Sequence, residues 1–125
     1  HAQWGDTEDW AESYRRKAQM SRADWERAHE ETVALETALA EAMRSGVKPG
    51  SPEANALARW HRKDLNRWFE VSTSKQVIIA RSYVADERYA RYYDKRAPGL
   101  AAWLKDVIDV CARSEGVDPA TATWE

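Results

Sequence analysis

One cysteine, one phenylalanine and five glycines in 125 residues remove several kinds of protein from consideration at the outset. Cys111 alone cannot close an internal disulfide, so the fold must rest on packing rather than crosslinks. No apolar run approaches the roughly 20 residues of a membrane span, nor the core of a signal peptide, and a cytoplasmic chain with no membrane partner is expected. A glycine-rich phosphate loop, a nucleophile elbow, an HExxH pair and a CxxC pair are all missing, and no activating base stands beside Cys111 in sequence, so no enzyme is expected. Carboxylate pairs such as Asp106-Asp109 and Glu30-Glu31 lie on charge-rich stretches that read as solvated faces. His1, His29 and His61 are too widely spaced for a metal motif, and no metal is expected. A net charge of −2 with interspersed signs lacks the basic face that releases counterions from phosphates, so this chain is not expected to bind DNA itself.

What the chain does have is aromatic mass of an unusual kind. Seven tryptophans and five tyrosines stand against the single phenylalanine. Indole and phenol carry a polar handle on an apolar body, which suits half-wet surfaces better than a dry core. The length fits one domain with one core, and 43% hydrophobic residues is enough to build it.

The pattern is helical throughout, with no repeats and no low-complexity tract. Thr7 is placed to cap a short helix to Ala18, with Glu8 and Asp9 in its first turn. Ser21-x-x-Asp24 has the form of a capping box that opens a long helix to about Arg44, with Trp25, Ala28, Thr32, Leu35, Leu39 and Ala42 on its buried side. Gly46, Pro49 and Gly50 mark a loop, and Ser51-Pro52 is an N-cap followed by proline at the first helical position. The next helix, predicted to about Glu70, carries Ala54, Leu57, Ala58, His61, Leu65 and Trp68 on one face. That places His61 in an apolar stripe, as a core residue or as a hydrogen-bonding group facing a ligand. A break at Val71 to Thr73 precedes a short helix from Ser74 to Ser82. Another starts at Asp86-Glu87, carries Tyr89, Tyr92 and Tyr93, and ends at Lys95-Arg96. Pro98 is read as the first turn of the last helix, whose stripe is Leu100, Leu104, Val107, Ile108 and Cys111. The tail from Gly116 reads as a fraying end on which Trp124 is able to dock.

Several motifs in one order then carry a resemblance: Trp4-Gly5-Asp6-Thr7, Ser21-Arg22-Ala23-Asp24-Trp25, His61-Arg62, Tyr83-Val84-Ala85-Asp86-Glu87-Arg88-Tyr89 and Pro98-Gly99-Leu100-Ala101-Ala102-Trp103. From about Trp4 to Arg113 the chain resembles the TipAS antibiotic-recognition domain, the ligand-sensing half of MerR-type transcriptional regulators. The resemblance implies an all-α, single-domain helical bundle with a globin-like helix arrangement. It divides the chain into a mobile N-terminal lid (1–20), a helical core (21–115) and a tail (116–125). It also implies reversible binding of peptide-derived antibiotics, thiopeptide-like or otherwise rich in aromatic heterocycles, in an aromatic-lined cleft, with no cofactor. Family members that capture thiopeptides covalently carry a cysteine where this chain has Ile78, and another near Val71, so covalent capture there is excluded.

In the full regulators a helix-turn-helix and a dimerising coiled coil precede this domain. Neither pattern occurs in this sequence, so DNA is expected to be reached only through such an N-terminal part and the chain alone is expected to be monomeric. A stand-alone drug-sequestering resistance protein is the alternative role. A planar-cofactor protein such as a haem binder is a weaker one, since bulky rings occupy the space it would need. Combining face and position, the expected ligand-binding residues are Trp10 and Tyr14 on the lid, Trp60, His61 and Trp68 on one wall, Ile78 and Tyr83 on a second, and Trp103 on a third. Trp25 and Tyr89 fit core packing better.

Overall fold

A computed structural model describes residues 8–125. The Trp4 to Thr7 motif and the Thr7 cap lie outside the described residues. Among the described residues the elements are six helices: α1 Glu8–Ala18, α2 Arg22–Arg44, α3 Pro52–Asn66, α4 Thr73–Ala85, α5 Glu87–Asp94 and α6 Leu100–Ser114.

The start signals in the sequence act as their chemistry dictates. Ser21 Oγ accepts from the Asp24 amide at 3.1 Å while Asp24 Oδ2 accepts from the Ser21 amide at 3.0 Å, closing a capping box that satisfies two otherwise unpaired donors. Ser51 Oγ accepts from Ala54 N at 3.1 Å, with Pro52 following it in the first turn of α3. Asp86 ends α4 and caps α5, its carboxylate accepting from Arg88 N at 2.9 Å.

Several boundaries differ from expectation, among them the end of α4, which runs to Ala85 rather than Ser82. α3 stops at Asn66 rather than Glu70 because the Asn66 amide binds the backbone of Val71 on both sides: its oxygen accepts from Val71 N at 2.9 Å and its nitrogen donates to Val71 O at 3.1 Å. The chain is thereby folded back into Ser72, which caps α4 one residue earlier than predicted. Pro98 does not open α6. It sits with Gly99 at the centre of a turn closed by Leu100 N donating to Ala97 O at 3.0 Å, and Gly99 takes φ 88° and ψ 0°. Those angles belong to the third residue of a type II turn, where glycine is favoured and proline commonly precedes.

α6 is the hub, packing against α2, α3, α4 and α5. Its Leu100, Leu104, Val107 and Ile108 join Leu35 and Leu39 of α2 and Val77 of α4 as the large, fully buried side chains. Ala54 and Ala58 of α3 are also buried, and their small side chains let α3 and α6 approach closely. Truncating one of the central leucines to alanine costs about 2–5 kcal/mol in cores of this kind.

The tail does not fray. Trp124 donates its indole N–H to Asp9 Oδ2 at 3.0 Å and lies 6.0 Å from the Phe69 ring. Trp25, expected in the core, is 43% exposed; it leans on Trp68, with ring centroids 5.6 Å apart. Tyr89, also expected in the core, is 42% exposed. No helix among the described residues is long and apolar enough to cross a membrane.

Candidate functional site

Where α2, α3, α4 and α5 meet, the helices leave a cleft of about 560 Å³. About two turns of α2 supply Thr32, Leu35, Glu36 and Leu39; α3 and the turn after it supply His61, Asp64, Leu65 and Trp68; α4 supplies Tyr83; α5 supplies Arg88, Tyr89, Tyr92 and Tyr93. The volume suits a small organic molecule or part of a larger one.

The aromatic wall is continuous. Tyr83 lies 4.8 Å from Tyr93, 6.0 Å from Tyr89 and 5.7 Å from His61 by ring centroids, and Tyr92 meets Tyr93 edge to face at 5.1 Å. Three tyrosines reach the cleft from α5 because positions 89, 92 and 93 share one face at helical spacing, and Tyr83 meets them because the chain bends at Asp86.

Polar groups hold these rings in place. The Tyr92 hydroxyl donates to the buried Glu36 carboxylate, with both oxygens 2.8 Å away, and Arg96 Nε donates to Glu36 Oε1 at 3.0 Å. Partial burial, followed by this contact with a carboxylate, pushes the Tyr92 phenol up to about 12. Asp64 accepts from Arg67 at 2.8 Å and from Thr32 Oγ1 at 3.3 Å. Both cleft carboxylates are therefore held by an arginine from within the chain.

The floor is a buried chain of hydrogen bonds. Gln76 Nε2 donates to the Ala58 carbonyl at 2.8 Å and lies 2.8 Å from His61 Nδ1, and His61 Nε2 lies 3.0 Å from the Tyr83 hydroxyl. Burial depresses the His61 pKa to about 4, so the ring is neutral at pH 7. Burial also raises the Tyr83 and Tyr93 phenols above their usual range. His61 is thus both the buried residue and the cleft residue that its stripe allowed. Its two nitrogens are taken by Gln76 and Tyr83, which leaves none for the axial bond a haem would require.

Of the residues expected from sequence, the structure brings His61, Trp68 and Tyr83 together in the cleft. The other five lie elsewhere. Trp60 is one residue from His61, about 100° around the helix, and lines shallow hollows between the outer faces of α2 and α3 instead. Ile78 is half-buried on α4 and away from the cleft lining. Trp103 donates its indole N–H to Val47 O at 3.0 Å, fastening α6 to the loop between α2 and α3. Trp10 and Tyr14 stack on each other at 5.9 Å on α1, 48% and 66% exposed. Only the far end of α1 touches the rim: Lys17 Nζ sits 5.2 Å from the Trp68 ring and Arg16 donates to Asn66 O at 2.8 Å.

Glu36, Asp64, Tyr89, Tyr92 and Tyr93 were missed as cleft residues. The 89, 92 and 93 spacing is visible in the sequence, where it marks a helix and Tyr89 alone is read as a core residue. Glu36 next to Leu35 read as solvated because nothing local announces an arginine and a tyrosine from 60 and 56 positions further on. Cys111 lies outside the cleft lining, buried in α6 with its pKa raised by that burial.

Fold and cleft together define an all-helical domain with an aromatic hollow among four of its helices. The chain belongs to the TipAS antibiotic-recognition domain family, whose family model matches residues 1–111. The HTH-type transcriptional activators TipA of Streptomyces coelicolor and Streptomyces lividans are each 30% identical over 106 residues, covering 84% of this chain and 42% of the relative. The chain thus spans less than half the length of these relatives. A solved structure from a thiopeptide antibiotic multidrug resistance system of Streptomyces lividans, nosiheptide in complex with TipAS, superposes with a TM-score of 0.82 at 28% identity. The match covers 91% of this chain and 80% of that one. The all-α arrangement expected from the sequence is the one observed.

Proposed function

We propose that this domain reversibly binds peptide-derived antibiotics, thiopeptide-like or otherwise rich in aromatic heterocycles, in the cleft between α2, α3, α4 and α5. It acts in the cytoplasm as the effector-sensing part of a MerR-type transcriptional activator. The observation that carries this reading is the tyrosine-lined cleft itself, present in a fold that superposes on TipAS bound to nosiheptide. Each heterocycle stacked on a tyrosine or tryptophan adds about 0.5–1.5 kcal/mol beyond its area burial. Three or four such contacts with that burial reach the roughly 8 kcal/mol of micromolar affinity once ordering costs are met.

Reversibility follows from the lining, which contains no thiol, while Cys111 is buried on another helix. The stacked Trp10 and Tyr14 support a lid role for α1. They present apolar surface to solvent while the end of the same helix already rests on Trp68 at the rim. DNA is engaged only through a separate N-terminal part of a longer regulator.

A tryptophan-fluorescence titration against nosiheptide and a linear aromatic oligoamide tests the reading. Saturable quenching at micromolar or lower concentration is expected for at least one of them, with Trp68 as the reporter in the cleft. Flat titrations with a folded protein overturn it.

A further inference from the structure

The buried hydrogen-bond chain behind the cleft has a direction that one backbone atom decides. A carbonyl oxygen only accepts, so the Gln76 atom 2.8 Å from Ala58 O is the amide NH2. The same NH2 group faces His61 Nδ1 at 2.8 Å, which makes Nδ1 the unprotonated acceptor. In a neutral imidazole the proton is then on Nε2, and Nε2–H donates to the Tyr83 hydroxyl oxygen at 3.0 Å. Reversing the amide would set two oxygens 2.8 Å apart, and the other tautomer would set two N–H groups against each other. The orientation runs one way only: Ala58 accepts, Gln76 and His61 donate, and Tyr83 receives.

Tyr83 accepts from behind and also meets the Tyr93 hydroxyl; whichever of the two donates to the other, one O–H of the pair is left over. Among the described residues no carbonyl or carboxylate accepts it, and Tyr83 and Tyr93 both line the cleft. The nearby carboxylates are already engaged, Glu36 by Tyr92 and Arg96 and Asp64 by Arg67 and Thr32.

We propose that the paired hydroxyls of Tyr83 and Tyr93 donate one hydrogen bond to the bound molecule, with Gln76 and His61 as the positioning residues that fix the polarity of the pair, so that the cleft selects ligands presenting a neutral acceptor, an azole nitrogen or an amide carbonyl, at its floor. This rests on the cleft being the binding site and adds what the site reads. Stacking on the tyrosine wall takes any flat ring; the donor of the tyrosine pair distinguishes an acceptor-bearing ring from one of the same shape without it. An unmet donor in a desolvated site penalises the wrong ring as well as favouring the right one.

The test uses the protein with two planar probes of equal shape, 2,4-diphenylthiazole and 2,4-diphenylthiophene, which differ by a ring nitrogen in place of a CH. Wild type should bind the thiazole about 10-fold more tightly, and the double variant Tyr83→Phe with Tyr93→Phe should abolish that preference while keeping the thiophene affinity. In ¹⁵N NMR of the free protein, His61 should show a protonated Nε2 and a bare Nδ1, and Gln76→Met should mix the tautomers and shrink the thiazole preference. Equal binding of the two probes by wild type, a preference that survives the double variant, or a His61 protonated on Nδ1 alone would each overturn the inference. Should Gln76→Met fail to fold, the wild-type spectrum and the double variant still decide. If neither probe binds, the cleft reading fails and takes this inference with it, a result distinct from equal binding.

Discussion

Trp124 and Asp9, 115 positions apart, are joined by an indole N–H donating to the carboxylate at 3.0 Å. The Lys75 ammonium pairs with the same carboxylate and sits 5.4 Å from the Trp124 ring, so the tail, α1 and the first turn of α4 meet at one point. Trp124→Ala removes the indole and its donor together. It should cost about 1–2 kcal/mol of stability and speed hydrogen exchange of the α1 amides, leaving those of α6 protected. Unchanged exchange in α1 would mean that the Lys75 pair with Asp9 and the Arg16 contact with Asn66 O hold the helix without the indole.

Local signals in the sequence were legible, and long-range ones were not. The capping boxes and N-caps at Ser21, Ser51 and Asp86 depend on residues two or three positions apart, so their chemistry is complete in the sequence. The end of α3 depends on Asn66 finding the backbone of Val71, and an asparagine in a helical pattern does not declare such a partner. The cleft follows the same division. His61, Trp68 and Tyr83 were found from stripe position and motif, whereas Trp60 and Trp103 were assigned to it because an indole is suited to a ligand as well as to an outer hollow or a carbonyl. Which of these a tryptophan meets is decided by helix rotation, and one residue of rotation separates Trp60 from His61.

If α1 closes over a bound antibiotic, Trp10 is the ring with most to gain. Its replacement by alanine should then weaken binding of nosiheptide by about 1–3 kcal/mol and leave the melting temperature nearly unchanged, since the side chain is 48% exposed. Fluorescence titration of Trp10→Ala beside wild type measures the first, and a thermal melt the second. An unaltered affinity would remove Trp10 from the site, where the free structure does not place it.

Glu36 is the carboxylate on which the cleft wall depends. Glu36→Ala leaves Arg96 and the Tyr92 hydroxyl without their shared partner, and the expected cost is about 2 kcal/mol, below that of a fully buried pair because the Arg96 side chain keeps 33% of its exposure. Tyr92 should then titrate closer to its ordinary range, since the carboxylate contact that helps hold its pKa up is gone. A phenolate absorbance titration of variant and wild type follows that change; an unmoved Tyr92 would assign the whole elevation to burial.

Cys111→Ser should leave antibiotic affinity unchanged, because the thiol is buried in α6 and absent from the cleft lining. Intact-mass spectrometry of wild type after incubation with nosiheptide should show no adduct, in keeping with a burial-raised pKa that keeps the sulfur protonated. An adduct on Cys111 would overturn reversible binding.

His61 makes stability depend on pH in a defined direction. Its folded pKa is depressed from 6.5 to about 4, so between those values the unfolded chain binds a proton that the folded chain does not. The stabilisation is complete above pH 6.5 and is lost as the pH falls towards 4, by about 3 kcal/mol at 1.36 kcal/mol per pH unit. The charge has nowhere to go in the fold, since the NH2 of Gln76 faces Nδ1 and would oppose a second N–H. Urea unfolding at pH 7 and pH 4.5 should show a steeper loss for wild type than for His61→Gln, whose amide can still donate to Tyr83 but does not titrate. Glu115 and Asp86, held near 2 by arginine contacts, lose their contributions as the pH falls from 4.5 and 3.8 towards 2, mostly below this window and alike in the two proteins. Equal losses in the two proteins would mean that His61 is accessible to protons in the folded state, and the neutral ring at the cleft floor would have to be abandoned.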